Sequence, residues 1–174
     1  MVSALELPRF VRESASTTYR EAQQADLITG RSIESMAAAA IYATCRCSGF
    51  TVSVREVAEK TICSEEQVLR SYRVLNVELG LETPVVQPES LIPKLATKCD
   101  VPKHVQHRTL ELMTTAIDAG LDNGRSPSGV SAGCLYVAVV EHELLTTQED
   151  IAAAAEVSVV TVRSRYQELI EVLE

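Results

Sequence analysis

Tryptophan is absent from these 174 residues and aromatics make up only 4%, while Ala, Leu, Val and Ile dominate, a balance that favours helix. The five cysteines, Cys45, Cys47, Cys63, Cys99 and Cys134, include no C-x-x-C pair. Cys45 and Cys47 lie two apart in a helical run and face different ways, so neither a zinc site nor a disulfide framework is signalled. They read as small core residues in a reducing, cytoplasmic compartment. A basic start followed by an apolar run is missing, so no signal peptide is expected. Long apolar runs are missing too: Met36 to Cys45 and Ala132 to Val140 fall well short of the ~20 residues that span a bilayer. No membrane association is expected, and these runs suit helices enclosed by others. A Gly-rich phosphate loop, a metal-ligand cluster and a nucleophile at telling spacing from a base are all lacking. That argues against an enzyme, a cofactor and a metal.

Lysine is scarce as well, with Lys60, Lys94, Lys98 and Lys103 the only four against twelve arginines. The formal net charge of -8 would ordinarily oppose nucleic acid, because phosphate binding needs local positive charge. Distribution matters more than the sum, and acids are spread over nearly every predicted helix. Two accounts fit this spread: a salt-rich cytoplasm in which net charge maintains solubility, or compositional drift.

The length allows one large domain or two of about eighty to ninety residues each. Comparison of the chain with itself favours two. A shift of 94 places Pro8 on Pro102, Val11 on Val105, Ala22 on Ala116 and Leu27 on Leu121, then Gly30-Arg31-Ser32 on Gly124-Arg125-Ser126. Without a gap, Tyr42, Ala58, Ser64, Tyr72, Leu75 and Leu79 then meet Tyr136, Ala152, Ser158, Tyr166, Leu169 and Leu173. The chain is a tandem duplication, with residues 1–81 as one unit, a linker at 82–87 beside Pro84 and Pro88, and residues 88–174 as the other.

Each unit predicts the same helices. One starts at Pro8 or Pro102 and runs to the Gly30 or Gly124 region. Ser32 and Ser126 then cap an Ala-rich central helix, Met36 to Cys45 or Val130 to Val140. Two shorter helices follow, Ser53 to Thr61 and Glu65 to Leu79 in the first unit, with Ser64 as cap. A further helix precedes the second unit at Pro88 to Cys99, whereas the first has only the stub Met1 to Leu5. Five helices per unit is the full pattern, and the first copy reads as clipped at its start.

The last thirty residues carry the most specific pattern. Thr146 and Glu149 fit a capping box, Ser158 and Thr161 fit a second cap, and the short stretch Ala152 to Val157 between them is helix-turn-helix spacing. Val162, Tyr166, Leu169 and Leu173 form the buried stripe of the final helix. Val160, Arg163, Ser164 and Gln167 fall on another face. Arg can donate twice to guanine, Gln can pair with adenine and Val can pack on a thymine methyl, so this face suits a major groove. On spacing alone it also describes an ordinary solvated surface. The first unit offers an internal control: Glu65 and Glu66 stand where Val159 and Val160 stand in the second. Carboxylates there repel phosphate, so only the second unit is expected to read bases through this helix. Arg31 reads as a structural helix-start residue, Arg70 and Arg73 as a solvated face, and His104, His107 and His142 as surface residues.

The motifs "GRSIESMAAAAIYATCR", "SYRVLNVELGLE", "PESLIPKLA", "GRSPSGVSAGCLY" and "VTVRSRYQEL" cover nearly the whole chain. Together they resemble the cyclin-like core of archaeal transcription factor B, similar to eukaryotic TFIIB. The resemblance implies an all-α fold of two tandem five-helix cyclin-like repeats, each ending in a helix-turn-helix. It implies a non-enzymatic factor that binds TATA-binding protein on bent promoter DNA and reads a purine-rich element upstream of the TATA box. The family's base-contacting Val and Arg fall on Val160 and Arg163, with Thr161, Ser164 and Gln167 beside them. Its phosphate-side Arg-Ser falls on Arg125 and Ser126, at a helix start suited to phosphate.

Departures from the family pattern bear on affinity. Phe50, Thr51 and Val52 stand where relatives carry Thr-Pro-Arg, and Glu149 and Asp150 stand near where relatives carry a Lys. Weak phosphate affinity at low salt is the expectation. The zinc ribbon and the polymerase-reaching segment of the full-length factor, which engage RNA polymerase, are absent from this span. The chain is therefore expected to act as the promoter-binding half, either as a core trimmed from a longer factor or as a short competitor. The alternative in another class is a cyclin-like protein-binding module without DNA affinity, since fold alone does not separate the two.

Overall fold

The computed structural model describes residues 2–174; Met1, the first residue of the expected stub, lies outside them. Regular structure among the described residues is entirely helical. The chain divides into two compact units, Met1–Val85 and Val86–Glu174. In the first, a short 3-10 turn at Val2–Leu5 precedes α1 (Arg9–Gln24), α2 (Ile33–Cys47), α3 (Val54–Ala58) and α4 (Glu65–Glu78). In the second, a 3-10 turn at Pro88–Leu91 runs into α5 (Ile92–Lys98), followed by α6 (Lys103–Asp118), α7 (Pro127–Glu141), α8 (Gln148–Ala155) and α9 (Val159–Leu173). These are two tandem repeats of the five-helix cyclin-like kind. α1 and α6, like α2 and α7, begin and end at positions 94 apart.

Several expected boundaries move, each for a local reason. Pro8 and Pro102 sit at the N-cap, one residue before the helix, with extended backbone. α1 stops at Gln24 rather than near Gly30, because Asp26 turns left-handed at φ 57° and the Leu27 N–H closes back on the Ala22 carbonyl at 2.9 Å. Its counterpart uses Gly120 at φ 71°, where glycine has no Cβ to strain. Ser32 caps α2 by accepting from the Ser35 N–H, but Ser126 makes no such bond to α7. The two backbones match (φ -67°, ψ 128° and φ -66°, ψ 125°), so the difference lies in the side chain. Glu34, which accepts the Ser32 hydroxyl proton at 2.9 Å, is replaced by Ser128.

The first helix of each helix-turn-helix is capped by Ser53 and Thr147, again 94 apart. The cap of α8 is therefore Thr147 with Asp150, not Thr146 with Glu149. Thr147 Oγ1 accepts the Asp150 N–H at 3.2 Å, and the Asp150 carboxylate accepts the Thr147 N–H at 3.0 Å. These bonds hold the Asp150 carboxyl below its ordinary pKa, so it stays charged and favours the helix N-terminus.

α2 and α7 are the centres of their units, buried over most of their length because Ala, Val and Cys fit between enclosing helices. The second unit has one continuous core, in which Leu112, Leu135, Ile151 and Leu169 are almost fully buried and each contributes about 1.5–3 kcal/mol. The first unit divides its core into smaller clusters around the small side chains of α2. Burial pushes the Cys45 thiol up to about 11 and the Cys134 thiol up to about 12, as inert core residues.

Candidate nucleic-acid interface

α9 presents three faces, and its packing against α7 decides which is which. The inner stripe is Val162 and Leu169, both buried, with Tyr166 half-buried against them. Leu173 falls out of the expected stripe at 41% exposed; Ile170, four residues beyond Tyr166, packs on the core instead. Tyr166 meets Tyr136 of α7 edge-on with ring centroids 5.1 Å apart, and Tyr72 meets Tyr42 in the same way at 4.9 Å. These paired rings fix the second helix of each helix-turn-helix onto its central helix.

The outer stripe holds four of the expected DNA-facing residues together. Val160 is 72% exposed, Arg163 and Gln167 are exposed, and Ser164 is half-buried. They follow at steps of three, one and three and so share one face. Arg163 has no ion pair among the described residues. Its guanidinium keeps all its donors available. α9 opens with no acid in its first turn, whereas α4 opens with Glu65 and Glu66, the latter paired to Arg70 at 2.9 Å. Where Arg163 projects from α9, α4 has Leu69, packed on the core.

Thr161 belongs to a third, lateral stripe. Its amide donates to Ser158 Oγ at 3.0 Å, its hydroxyl bonds the Ser158 hydroxyl at 2.8 Å, and its methyl lies 2.9 Å from where a Cβ on Gly129 would stand. It seats the helix against α7 and does not share the outer face. Arg165 and Glu168 continue this stripe. A Cβ on Gly133 would come within 2.4 Å of the Arg165 Cβ and 3.0 Å of its backbone, so α9 lies against bare α7 backbone there. Arg165 pairs with Glu168, and Glu168 also pairs with Arg125 Nη2 at 3.3 Å. Arg125 is thus brought beside α9. Ser126, next to it, is exposed with its hydroxyl unused by the cap.

Sequence reasoning missed Gly129, Gly133, Arg165 and Glu168. A signal was present in the duplication. Their counterparts are Ser35, Ala39, Ser71 and Val74, and Ser35 and Ser71 hydrogen bond to each other at 2.9 Å in the first unit. Two glycines four apart on a central helix mark a close backbone approach. Elsewhere, Arg108 binds Glu141 through two bonds of 2.7 and 3.0 Å and joins α6 to the end of α7. That contact holds the Glu141 carboxyl below its ordinary range. His104 and His142 lie edge-on 5.0 Å apart on the exposed surface, and no cluster of three or more metal-binding side chains occurs among the described residues. No helix among them is long and apolar enough to cross a membrane.

Two tandem cyclin-like repeats, each with a helix-turn-helix whose second helix opens with acids in one copy and with none in the other, define a class of repeat-built factors. The transcription factor TFIIB repeat matches residues 1–78 and again 81–172, and the chain belongs to that family. It is 42% identical over 174 residues to transcription initiation factor IIB 5 of Halobacterium salinarum, covering 100% of this chain and 57% of that protein. Transcription initiation factor IIB 7 of the same organism is 40% identical over 173 residues, 99% of this chain and 54% of the relative. The factor IIB of Pyrodictium occultum is also 40% identical, over 99% of this chain and 56% of its own length. The chain spans about half the length of the curated relatives it matches.

Proposed function

We propose that the chain is the promoter-binding core of a general transcription initiation factor acting in the cytoplasm. It binds TATA-binding protein on promoter DNA and reads a purine-rich element upstream of the TATA box through α9. Contact with RNA polymerase belongs to the remainder of a full-length factor. The observation that carries the reading is the outer stripe of α9, in which Val160, Arg163 and Gln167 are exposed beside half-buried Ser164 and the first turn carries no acid, where α4 opens with Glu65 and Glu66.

On this reading Arg163 donates to a guanine, Gln167 pairs with an adenine and Val160 packs on a thymine methyl. Arg125 and Ser126 approach a backbone phosphate at the start of α7, and Thr161 holds the reading helix in place from behind. With few phosphate contacts the chain gains little from counterion release, and its net charge of -8 does not steer it to DNA, so stable binding depends on the joint surface of TATA-binding protein and bent DNA. The test is an electrophoretic shift on a TATA promoter, with and without TATA-binding protein and with and without the upstream element. A stable complex should need TATA-binding protein. Arg163→Ala should cost about 1–3 kcal/mol on the site carrying the element and much less on the site without it. Equal loss on both sites would reduce Arg163 to a phosphate contact and overturn the assignment.

A further inference from the structure

We infer that Glu168 is a positioning residue that ties the phosphate-side arginine to the base-reading helix; this rests on the proposed reading of α9 and Arg125. The argument begins with the carboxylate. Glu168 is 29% exposed and takes two guanidiniums, Arg165 from its own helix and Arg125 from the turn before α7. Arg165 is itself only 15% exposed and is laid flat over α7 by the bare backbone at Gly133. It therefore fixes the carboxylate from one side, and the carboxylate fixes Arg125 from the other.

The first unit lacks every part of this arrangement except the arginine. Val74 stands for Glu168 and Ser71 for Arg165. Arg31, the counterpart of Arg125, instead donates to its own turn at the Leu27 carbonyl, 2.7 Å away. The same Gly-Arg-Ser turn thus folds its arginine back onto its own turn in one unit and sends it across to the helix-turn-helix in the other. Phosphate contacts set the register in which base contacts are made, so an arginine held to α9 moves with Arg163 as one surface. A carboxylate beside a phosphate-binding arginine would otherwise weaken binding by repelling the DNA backbone. The two effects have opposite signs, which makes the inference testable.

Glu168→Gln keeps the shape and can still accept one hydrogen bond from Arg165. In ternary complexes with TATA-binding protein it should lower affinity for the element-bearing site about two- to fivefold, the range a partly exposed ion pair supports. It should have no further effect in an Arg125→Ala background, and Arg125→Ala itself should reduce the salt slope of binding by about one. Unchanged or tighter binding by Glu168→Gln would overturn the inference, as would an equal loss in the Arg125→Ala background. A second measurement needs no DNA: 15N relaxation at the Arg125 Nε of the free chain should show increased fast motion in Glu168→Gln. Equal mobility in both proteins would also overturn it. A wild-type chain that ignores the upstream element refutes the reading of α9, while the relaxation measurement still decides the ion pair.

Discussion

The helix-turn-helix of the first unit and that of the second share their inward residues and differ in nearly all their outward ones. Val57, Val68 and Leu75 are fully buried, as are Ile151, Val162 and Leu169 at the matching positions. The serine caps and the tyrosine pairs recur. On the outer face Glu66, Leu69, Arg70 and Arg73 answer to Val160, Arg163, Ser164 and Gln167. Packing holds inward positions because a cavity or an overpacked side chain costs kcal/mol, whereas solvent tolerates almost any outward residue. The difference teaches where to look for function: at the helix start, where one copy carries Glu65 and Glu66 and the other Val159 and Val160.

The comparison also reaches the faces of the units that precede the helix-turn-helix. In the second, Ser131 on α7 donates to the Pro88 carbonyl at 2.8 Å, and Pro88–Lys98 covers the surface of α6 and α7. In the first, Ala37 stands at that position and lines an open cleft with Arg12, Tyr19, Arg20 and Ile41.

The largest effect should come from giving α9 the charge of α4. Val160→Glu places a carboxylate against DNA, and like-charge contact of this kind costs several kcal/mol; the element-bearing complex should be lost in a shift assay. The reciprocal Glu66→Val should leave binding as it was. Comparable losses from both would show that the two helices contribute alike.

Next comes the seating of α9. Gly133→Ala should destabilise the second unit by about 1–3 kcal/mol in denaturant unfolding, since the new Cβ meets Arg165 backbone that cannot give way. Ala39 already fills the corresponding site in the first unit, which identifies this as a property of one copy. A neutral Gly133→Ala would remove the close approach on which the lateral stripe depends.

A smaller effect distinguishes the two threonines before α8. Thr147→Ala should cost about 1 kcal/mol by removing the cap, and Thr146→Ala close to nothing. The reverse order would restore the cap expected from sequence.

The smallest concerns acid. The Arg108 contact lowers the Glu141 pKa from 4.5, so its stabilisation is present above that value and disappears as pH falls through the lowered one. The pair is about a third exposed, so Glu141→Gln should flatten the acid limb of thermal stability by only about 0.2–1 kcal/mol. The first unit cannot form this pair, since Ser14 and Cys47 stand at the positions of Arg108 and Glu141. An unchanged acid limb in Glu141→Gln would show that the contact adds nothing to the second unit.

The duplication, the helices, the Ser158 cap and the outer stripe of α9 were legible in the sequence, because each follows from spacings within a few residues or from a fixed shift. The misplaced cap at Thr146 was correctable from the same shift, since Ser53 falls on Thr147. What the spacing within α9 did not supply was the lateral stripe, for which the signal lay on another helix, in Gly129 and Gly133. Thr161 is as polar and as near the helix start as the residues that face outward, and only the approach of α7 at Gly129 turns it inward. The pairing of Arg125 with Glu168 joins residues distant in the chain and depends on how closely two helix backbones meet. Sequence by itself determined which residues could share a face. Tertiary structure decided which face was covered, because that depends on the missing Cβ atoms of a neighbouring helix and not on the periodicity of α9.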